Sequence, residues 1–217
     1  MLNGTFHAFV GGTRTKQNGG RMKAEIISVG TELLLGHTVN TDATHVAREL
    51  SALGMDLLQV HTVGDNPQRL EKALREALER AEVVITTGGL GPTEDDLTKE
   101  TVALVAEAPL EEHADSMARL REYFGSRSMS ANQAKQAMLP RGSVAFPNLA
   151  GTAPGCATPA GEGRWVLMLP GPPSELLPML HDSAVPFLRS MSGSVISSFM
   201  VKTFGIGEGL AALRIAG

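Results

Sequence analysis

The chain has 217 residues, of which 42% are hydrophobic, and its formal net charge is −4 at pH 7. This length can bury one full hydrophobic core, and the charge gives no basic surface for binding nucleic acid. No apolar run approaches the ~20 residues that a membrane-spanning helix needs. The single cysteine, Cys156, excludes an internal disulfide and is typical of a reducing compartment. The composition therefore favours a cytoplasmic protein that acts on a small molecule.

The first segment, residues 1–21, is rich in Gly, Thr, Asn and basic residues and has no sustained hydrophobic period. We expect it to be a disordered extension, or translation to begin at Met22. The main domain is expected at 22–190, followed at 191–217 by the start of a truncated C-terminal appendage.

Strand and helix patterns alternate after Met22. Strands are predicted at 24–29, 55–63, 82–87 and 165–169, and a last one at 195–203. Helices are predicted at 41–53, 67–81 and 96–108, at 111–124 and 130–138, and at 176–188 despite two prolines. Asn40 or Thr41, and Asp65 or Asn66, are the expected N-caps of the first two helices. Apolar strands separated by helices predict a three-layer, doubly wound α/β domain with a mostly parallel sheet.

Three predicted strands end in glycine turns, and the carboxyl ends of parallel strands meet at one edge of a sheet. Glycine lets the backbone approach an anion closely, and free N–H groups there can bind phosphate oxygens. The sequence therefore predicts a phosphate-binding edge. Its candidate residues are Gly30, Thr31, Thr87, Gly88, Gly89, Gly91, Pro92, Thr93, Gly171 and Pro172.

Three carboxylates, Glu94, Asp95 and Asp96, follow the second glycine turn at the predicted start of a helix. Mg²⁺ is commonly held by one or two carboxylates together with substrate phosphates. The alternative is structural, because acidic residues in a first helical turn interact favourably with the helix dipole. Glu32 could likewise help to hold the metal ion, or it could be an acidic residue in the first turn of a helix.

Three further residues are candidates for ligand binding, and each has a structural alternative. Asn40 could contact the ligand or cap a helix, and Glu175 could contact the ligand or form part of a rigid helix entry. Lys135 is a solvated helix lysine unless its segment folds over the phosphate-binding edge.

Several common nucleotide and hydrolase motifs are missing from the sequence. The glycine turns match neither GxxxxGK[ST] nor GxGxxG with a following acid, and no GxSxG elbow occurs. A P-loop triphosphatase, a dinucleotide oxidoreductase and an α/β-hydrolase are therefore disfavoured.

Seven motifs carry a resemblance to a known family. They are AEIISVGTELLLGHTVNTDA, VHTVGDNPQRL, TTGGLGPTEDDLTKETVA, NQAKQAMLP, NLAGTAPG, LPGPPSEL and FGIGE. Together, from Met22 to about Glu208, they resemble the N-terminal domain of the competence/damage-inducible CinA family. The core also resembles the molybdopterin-binding fold of MoaB and MogA. The resemblance implies a three-layer α/β domain and a homo-oligomer.

The CinA resemblance also implies an activity, the metal-dependent hydrolysis of ADP-ribose to AMP and ribose 5-phosphate. Asp96 would hold the divalent ion (Mg, Mn or Co), assisted by Asp95 or Glu32. The deamidase domain of many members is expected to be absent from this chain. Where molybdopterin-binding relatives carry an aspartate in the first loop, this chain has Asn40, which makes pterin chemistry less expected.

Two alternatives remain open beside a nucleotide diphosphate hydrolase. One is a molybdopterin-binding or adenylylating protein of molybdenum cofactor biosynthesis, and the other is a nucleotide-sensing domain without catalysis. In each case the expected partners are a small nucleotide or pterin ligand and further copies of the chain, with no nucleic acid and no membrane.

Overall fold

The computed structural model describes residues 21–191 and two short strands, β1 (Ala8–Phe9) and β10 (Met200–Val201), that pair antiparallel. The strands between them are β2 (Lys23–Val29), β3 (Asp56–Val63), β4 (Val83–Thr87), β5 (Leu110–Glu112), β6 (Met138–Pro140), β7 (Val144–Phe146), β8 (Gly155–Pro159) and β9 (Trp165–Leu169). The helices are α1 (Thr31–Leu34), α2 (Thr41–Ala52), α3 (Pro67–Arg80), α4 (Thr98–Val105), α5 (Ala114–Phe124), α6 (Ala131–Lys135), α7 (Pro173–Met179) and α8 (Val185–Met191).

A six-stranded sheet in the order β3-β2-β4-β9-β8-β7 forms the centre of the domain. The first four strands are parallel, whereas β8 and β7 continue the sheet antiparallel. Adjacent residues of β2 point to opposite faces, so Ile26 packs with Leu50 of α2 and Ile27 with Leu74 of α3. Helices on both faces of a mostly parallel sheet confirm the predicted three-layer α/β class.

The segment between α4 and β9 differs most from the prediction. Glu111 and Glu112 belong to strand β5, and α5 begins only at Ala114, because the His113 side chain accepts the N–H of Ser116 and caps the helix there. Met138 opens β6, which pairs with β5, so the predicted helix at 130–138 is shortened to α6. Strands β7 and β8 were not predicted, since they are short and lack a clear alternation.

The helix predicted at 176–188 is confirmed through both prolines. It runs as α7, a π-helical turn at Leu180–Ala184, and α8, with Pro178 and Pro186 inside the helical segments. The π turn precedes Pro186, which has no N–H to donate. Of the strand predicted at 195–203 only β10 is described, and the rest of that strand lies outside the described residues, as do residues 1–7 and 10–20 of the proposed extension.

None of the helices that the structure describes is long and apolar enough to cross a membrane.

Candidate functional site

The three glycine turns that the sequence predicts at one edge of the sheet lie in contact with each other. The N–H of Gly88 donates to the carbonyl of Leu169 at 3.0 Å, and a Cβ on Gly171 would lie 3.4 Å from the Cα of Gly88. A Cβ on Gly88 would collide with the carbonyl oxygen of Val29. The ends of β2, β4 and β9 therefore pack backbone against backbone.

Backbone donors at this edge are partly used by the protein itself. The N–H groups of Gly30, Thr31 and Gly88 donate to Val63, Asp65 and Leu169. For Gly89 and Gly91, we find no acceptor among the described residues. Gly88 and Gly89 both have positive φ, +94° and +69°, and such consecutive turns can form an anion-binding concavity. The donors available to a ligand are thus fewer than the sequence predicts.

The three acids after the glycine turn precede α4 rather than lying in its first turn. The helix begins at Thr98, and its N-cap Leu97 supplies no side-chain hydrogen bond. The expectation of acids at a helix start is therefore wrong, because the chain makes a separate loop before the helix. Glu94 and Asp95 are exposed on that loop.

Asp96 alone among these acids is held in a defined position. Its Oδ2 accepts the N–H of Thr93 at 2.9 Å and the hydroxyl of Thr93 at 2.5 Å. A Cβ on Gly91 would lie only 2.6 Å from the same oxygen, so the glycine leaves room for the carboxylate. The loop from Gly91 to Asp96 thus closes upon the Asp96 side chain.

A cavity of about 170 Å³ lies beside this loop. It is lined by Gly91, Pro92, Thr93, Glu94, Asp96, Lys99, Glu100, Asn132 and Lys135. Lys135 of α6 forms an ion pair with Glu100 of α4 at 2.5 Å, so the segment that carries Lys135 does fold over this edge. Of the predicted site residues, the cavity brings together Asp96, Lys135 and the second half of the glycine turn.

Lys99 is a cavity residue that the sequence analysis did not identify. Its side chain is only 5% exposed, and its ammonium donates to the backbone carbonyl of Gln136 at 2.6 Å. Burial lowers the pKa of Lys99 to about 8. In the sequence this lysine resembles an ordinary surface lysine of a helix, and nothing local indicates that α6 covers it. The same holds for Glu100.

Asn40 and Thr87 are joined below the glycine turns by Ser28. The hydroxyl of Ser28 accepts from the Asn40 amide at 2.9 Å and from the Thr87 hydroxyl at 3.1 Å. The Asn40 oxygen accepts the N–H of Ala43 at 3.1 Å, which makes Asn40 the N-cap of α2. Both polar ends of Asn40 therefore have partners within the protein, in agreement with the capping interpretation.

The first loop and the Asp96 cavity are separate in the structure. Thr31 and Asp65 exchange two hydrogen bonds, at 2.9 and 3.1 Å, which hold the start of α1 against the end of β3. Glu32 is exposed in the first turn of α1, and its carboxylate lies over Gly30. Glu32 does not line the cavity that contains Asp96.

Glu175 holds a neighbouring loop in place. Its carboxylate accepts from the amide of Asn148 at 2.6 Å, and the Asn148 oxygen accepts the N–H groups of Ala150 and Gly151. Pro172 is the N-cap residue of the short helix that carries Glu175. The Asn148 loop borders a second cavity of about 500 Å³, which α5 lines from the other side with Arg119 and Tyr123.

The residues of the Asp96 cavity fit a divalent ion only together with a ligand. Among the described residues, no three His, Cys, Asp or Glu side chains form a metal-binding group. Asp96 presents a single ordered carboxylate, while Asp95 is exposed and does not line the cavity. Mg²⁺ held by one carboxylate, water and substrate phosphate is compatible with this donor set.

Comparison with known proteins agrees with this architecture. A family model described as "Probable molybdopterin binding domain" matches residues 25–190. A CinA-like protein from Desulfovibrio desulfuricans is 78% identical over 195 residues, which are 90% of this chain and 46% of that protein. The chain thus spans about half the length of the curated relatives it matches.

Solved structures give the same result. CinA from Thermoplasma acidophilum, described as a protein of unknown function, is 34% identical with a TM-score of 0.72, and the match covers 76% of this chain and 96% of that one. MoaB from Thermus thermophilus, a molybdopterin biosynthesis enzyme, is 21% identical with a TM-score of 0.51 over 81% and 99% of the two chains, which supports the fold alone. The chain therefore belongs to the CinA family and contains its molybdopterin-binding type of domain.

Proposed function

We propose that this domain hydrolyses the diphosphate of a nucleotide such as ADP-ribose, releasing AMP and ribose 5-phosphate with the help of a divalent metal ion. The observation that carries the proposal is the cavity beside the loop that follows β4, which the ordered Asp96 carboxylate and the buried Lys99 line together. Open parallel sheets bind ligands at this position.

The charges around the cavity support a metal ion. Lys99 and Lys135 carry two positive charges, whereas Glu94, Asp96 and Glu100 carry three negative ones. A diphosphate would therefore enter a cavity that already has a negative charge in excess. A divalent cation at Asp96 would reverse that balance, neutralise the diphosphate and lower the pKa of a water for attack at phosphorus.

The protein's own groups would orient the substrate. Thr93 fixes the rotamer of Asp96, because its N–H and its hydroxyl both donate to Oδ2 of that carboxylate. The N–H groups of Gly89 and Gly91 are available to phosphate oxygens, where fixed donors stabilise charge that develops during the reaction. Asp95 and Glu32 lie outside the cavity, and we therefore assign Asp96 the principal role.

The test is release of AMP from ADP-ribose in reactions that contain Mg²⁺, Mn²⁺, Co²⁺ or EDTA. Chromatography measures the AMP. Asp96→Asn removes the charge but keeps an oxygen for Thr93. We expect it to lower the rate at least about tenfold, since changes beside metal ligands already cost about 10–100-fold. The matched control is Asp182→Asn, an exposed acid on the π turn.

Three results would contradict the proposal: AMP release that persists in EDTA, equal loss in both variants, or no release by a folded wild-type protein. Thermal unfolding of each variant establishes that it is folded. Binding of ADP-ribose without turnover would instead support the non-enzymatic nucleotide sensor.

The second candidate function is molybdopterin binding, which is favoured by the family model over residues 25–190. Asn40 argues against this function, because it caps α2 and binds Ser28 and carries no charge at this position of the first loop. We expect protein purified from cells that make molybdopterin to carry no pterin fluorescence. Pterin bound to the purified protein in a stoichiometric amount would instead favour molybdopterin binding over hydrolysis.

A further inference from the structure

The cavity beside Asp96 is lined by two lysines, Lys99 and Lys135, and the proposed function does not say which part of the ligand their ammonium groups contact. Lys99 is buried in α4 and Lys135 is half exposed on α6, so they approach the cavity from its floor and from its cover. Both lysines line the same cavity, and burial together with the positive charge of Lys135 lowers the pKa of Lys99.

The ammonium of Lys99 has few partners for its three donors. Its hydrogen bond to the Gln136 carbonyl is the one that the structure shows within residues 21–191. A buried cation is costly unless a negative or strongly polar group accompanies it. An anionic ligand in the cavity would supply the missing partner.

Glu100 is the anion that Lys135 binds in this structure. Its Oε1 binds Lys135, while its Oε2 is buried and has no hydrogen-bond partner among the described residues. The buried Oε1 of the neighbouring Gln136 also lacks a partner in that part of the chain. A carboxylate with one oxygen unsatisfied is displaced more readily than one with both oxygens bound.

We propose that Lys99 and Lys135 together bind one phosphate group of the ligand, and that Glu100 competes with this phosphate for Lys135. The choice of phosphate rests on the proposed function and deepens it. The ligand would enter as Glu100 turns away from Lys135, so that the cover formed by α6 closes upon the phosphate instead of the carboxylate.

The test uses AMP and adenosine, which differ by the phosphate, in calorimetric titrations with Mg²⁺ and with EDTA. Lys135→Met should weaken AMP binding about tenfold, since hydrogen bonds to charged groups are among the stronger ones. Lys99→Met should do the same. Glu100→Gln should strengthen AMP binding severalfold, because it removes the competing charge. Adenosine binding should stay unchanged in all three variants.

The matched control is Lys72→Met, which removes an equally charged lysine from the exposed face of α3, 3.8 Å from Glu76. It should leave AMP binding as in the wild type. If Lys99→Met fails to fold, Lys135→Met and Glu100→Gln still decide the matter, because both side chains are partly exposed.

Several outcomes would overturn the inference. They are a wild-type protein that binds neither AMP nor inorganic phosphate, lysine variants that weaken adenosine as much as AMP, and a Glu100→Gln variant that weakens AMP binding. The hydrolysis assay is independent of these titrations. Lysine-dependent AMP binding in a protein that releases no AMP from ADP-ribose would refute the hydrolase and keep the phosphate site.

Discussion

At the scale of single residues, the turn after β4 depends on a backbone position at Gly88 that has no room for a side chain. Its φ is +94°, and a Cβ would collide with the carbonyl oxygen of Val29. We expect Gly88→Ala to destabilise the domain by about 3 kcal/mol or more, because backbone strain and steric overlap add.

Urea unfolding of Gly88→Ala beside Gly36→Ala separates these two causes. Gly36 also has a positive φ, +72°, but its Cβ would meet nothing within 4 Å. The control should therefore lose only about 1 kcal/mol from the strain. Equal losses in the two variants would mean that the close approach to Val29 does not matter.

Asp42, in the first turn of α2, makes stability depend on pH. Burial raises its pKa from 3.8 to about 6, against a smaller opposing effect of His45, and its Oδ1 has no partner in the described part of the chain. Because the folded pKa is the higher one, the unfolded chain ionises first. Stability attributable to this group is full below pH 3.8 and is lost as the pH rises through 6.

We therefore expect Asp42→Asn to gain stability relative to the wild type between about pH 4 and pH 8, by about 1 kcal/mol after allowance for its half-exposed position. Urea unfolding of both proteins at the two pH values measures this difference. Asp182→Asn serves as the exposed control. A difference that is the same at both pH values would contradict the prediction.

At the scale of elements, the sequence predicts well wherever one hydrophobic period continues over a whole segment. Strands β2, β4 and β9 are nearly continuous buried segments. Helix α3 combines a clear apolar stripe with Asn66 as N-cap and Pro67 at its start. Strands β7 and β8 are short, and Gly155 and Pro159 interrupt any pattern. Strand β7 pairs with β8 and β8 pairs with β9, both antiparallel, and no local hydrophobic period marks these two strands.

The loop after β7 is an element that one side chain organises. Asn148 makes hydrogen bonds to Ala150, Gly151, Ala153 and Glu175. We expect Asn148→Ala to free this loop, with hydrogen exchange of the Ala150 and Gly151 amides at least about tenfold faster. The amides of α3 should exchange as in the wild type. Faster exchange throughout the domain would contradict this prediction, because it would show that Asn148 stabilises the whole fold and not the loop alone.

At the scale of the whole molecule, topology predicts the place of the site better than its residues. The alternation of strands and helices predicts that Gly88 and Gly171 meet at one edge, and they do. Lys99 and Glu100 escape prediction because their environment is created by α6, which comes much later in the chain. A site residue on a buried helix face cannot be told from a surface residue until the covering element is placed.

The burial of Lys99 also makes the free energy of unfolding of the whole domain depend on pH. Its pKa is lowered to about 8 by burial and by the charge of Lys135, against the raising effects of Cys156, Glu100 and Asp96. An unfolded lysine keeps its proton to about pH 10.4. From about pH 8 upward the folded protein releases this proton while the unfolded chain retains it, so this group's contribution to stability rises with pH.

Between about pH 8 and pH 9 we expect the wild type to gain about 1 kcal/mol relative to Lys99→Met, measured by urea unfolding. Cys156, whose pKa burial raises from 9.0 to about 11, has the opposite effect on stability, but the wild type and Lys99→Met both contain this thiol, so its effect is common to the two proteins. Lys72→Met, which removes an exposed lysine, should follow the wild type across the same interval. A parallel course of wild type and Lys99→Met would show that Lys99 keeps its proton in the folded cavity, and that burial there is compensated by the carboxylates around it.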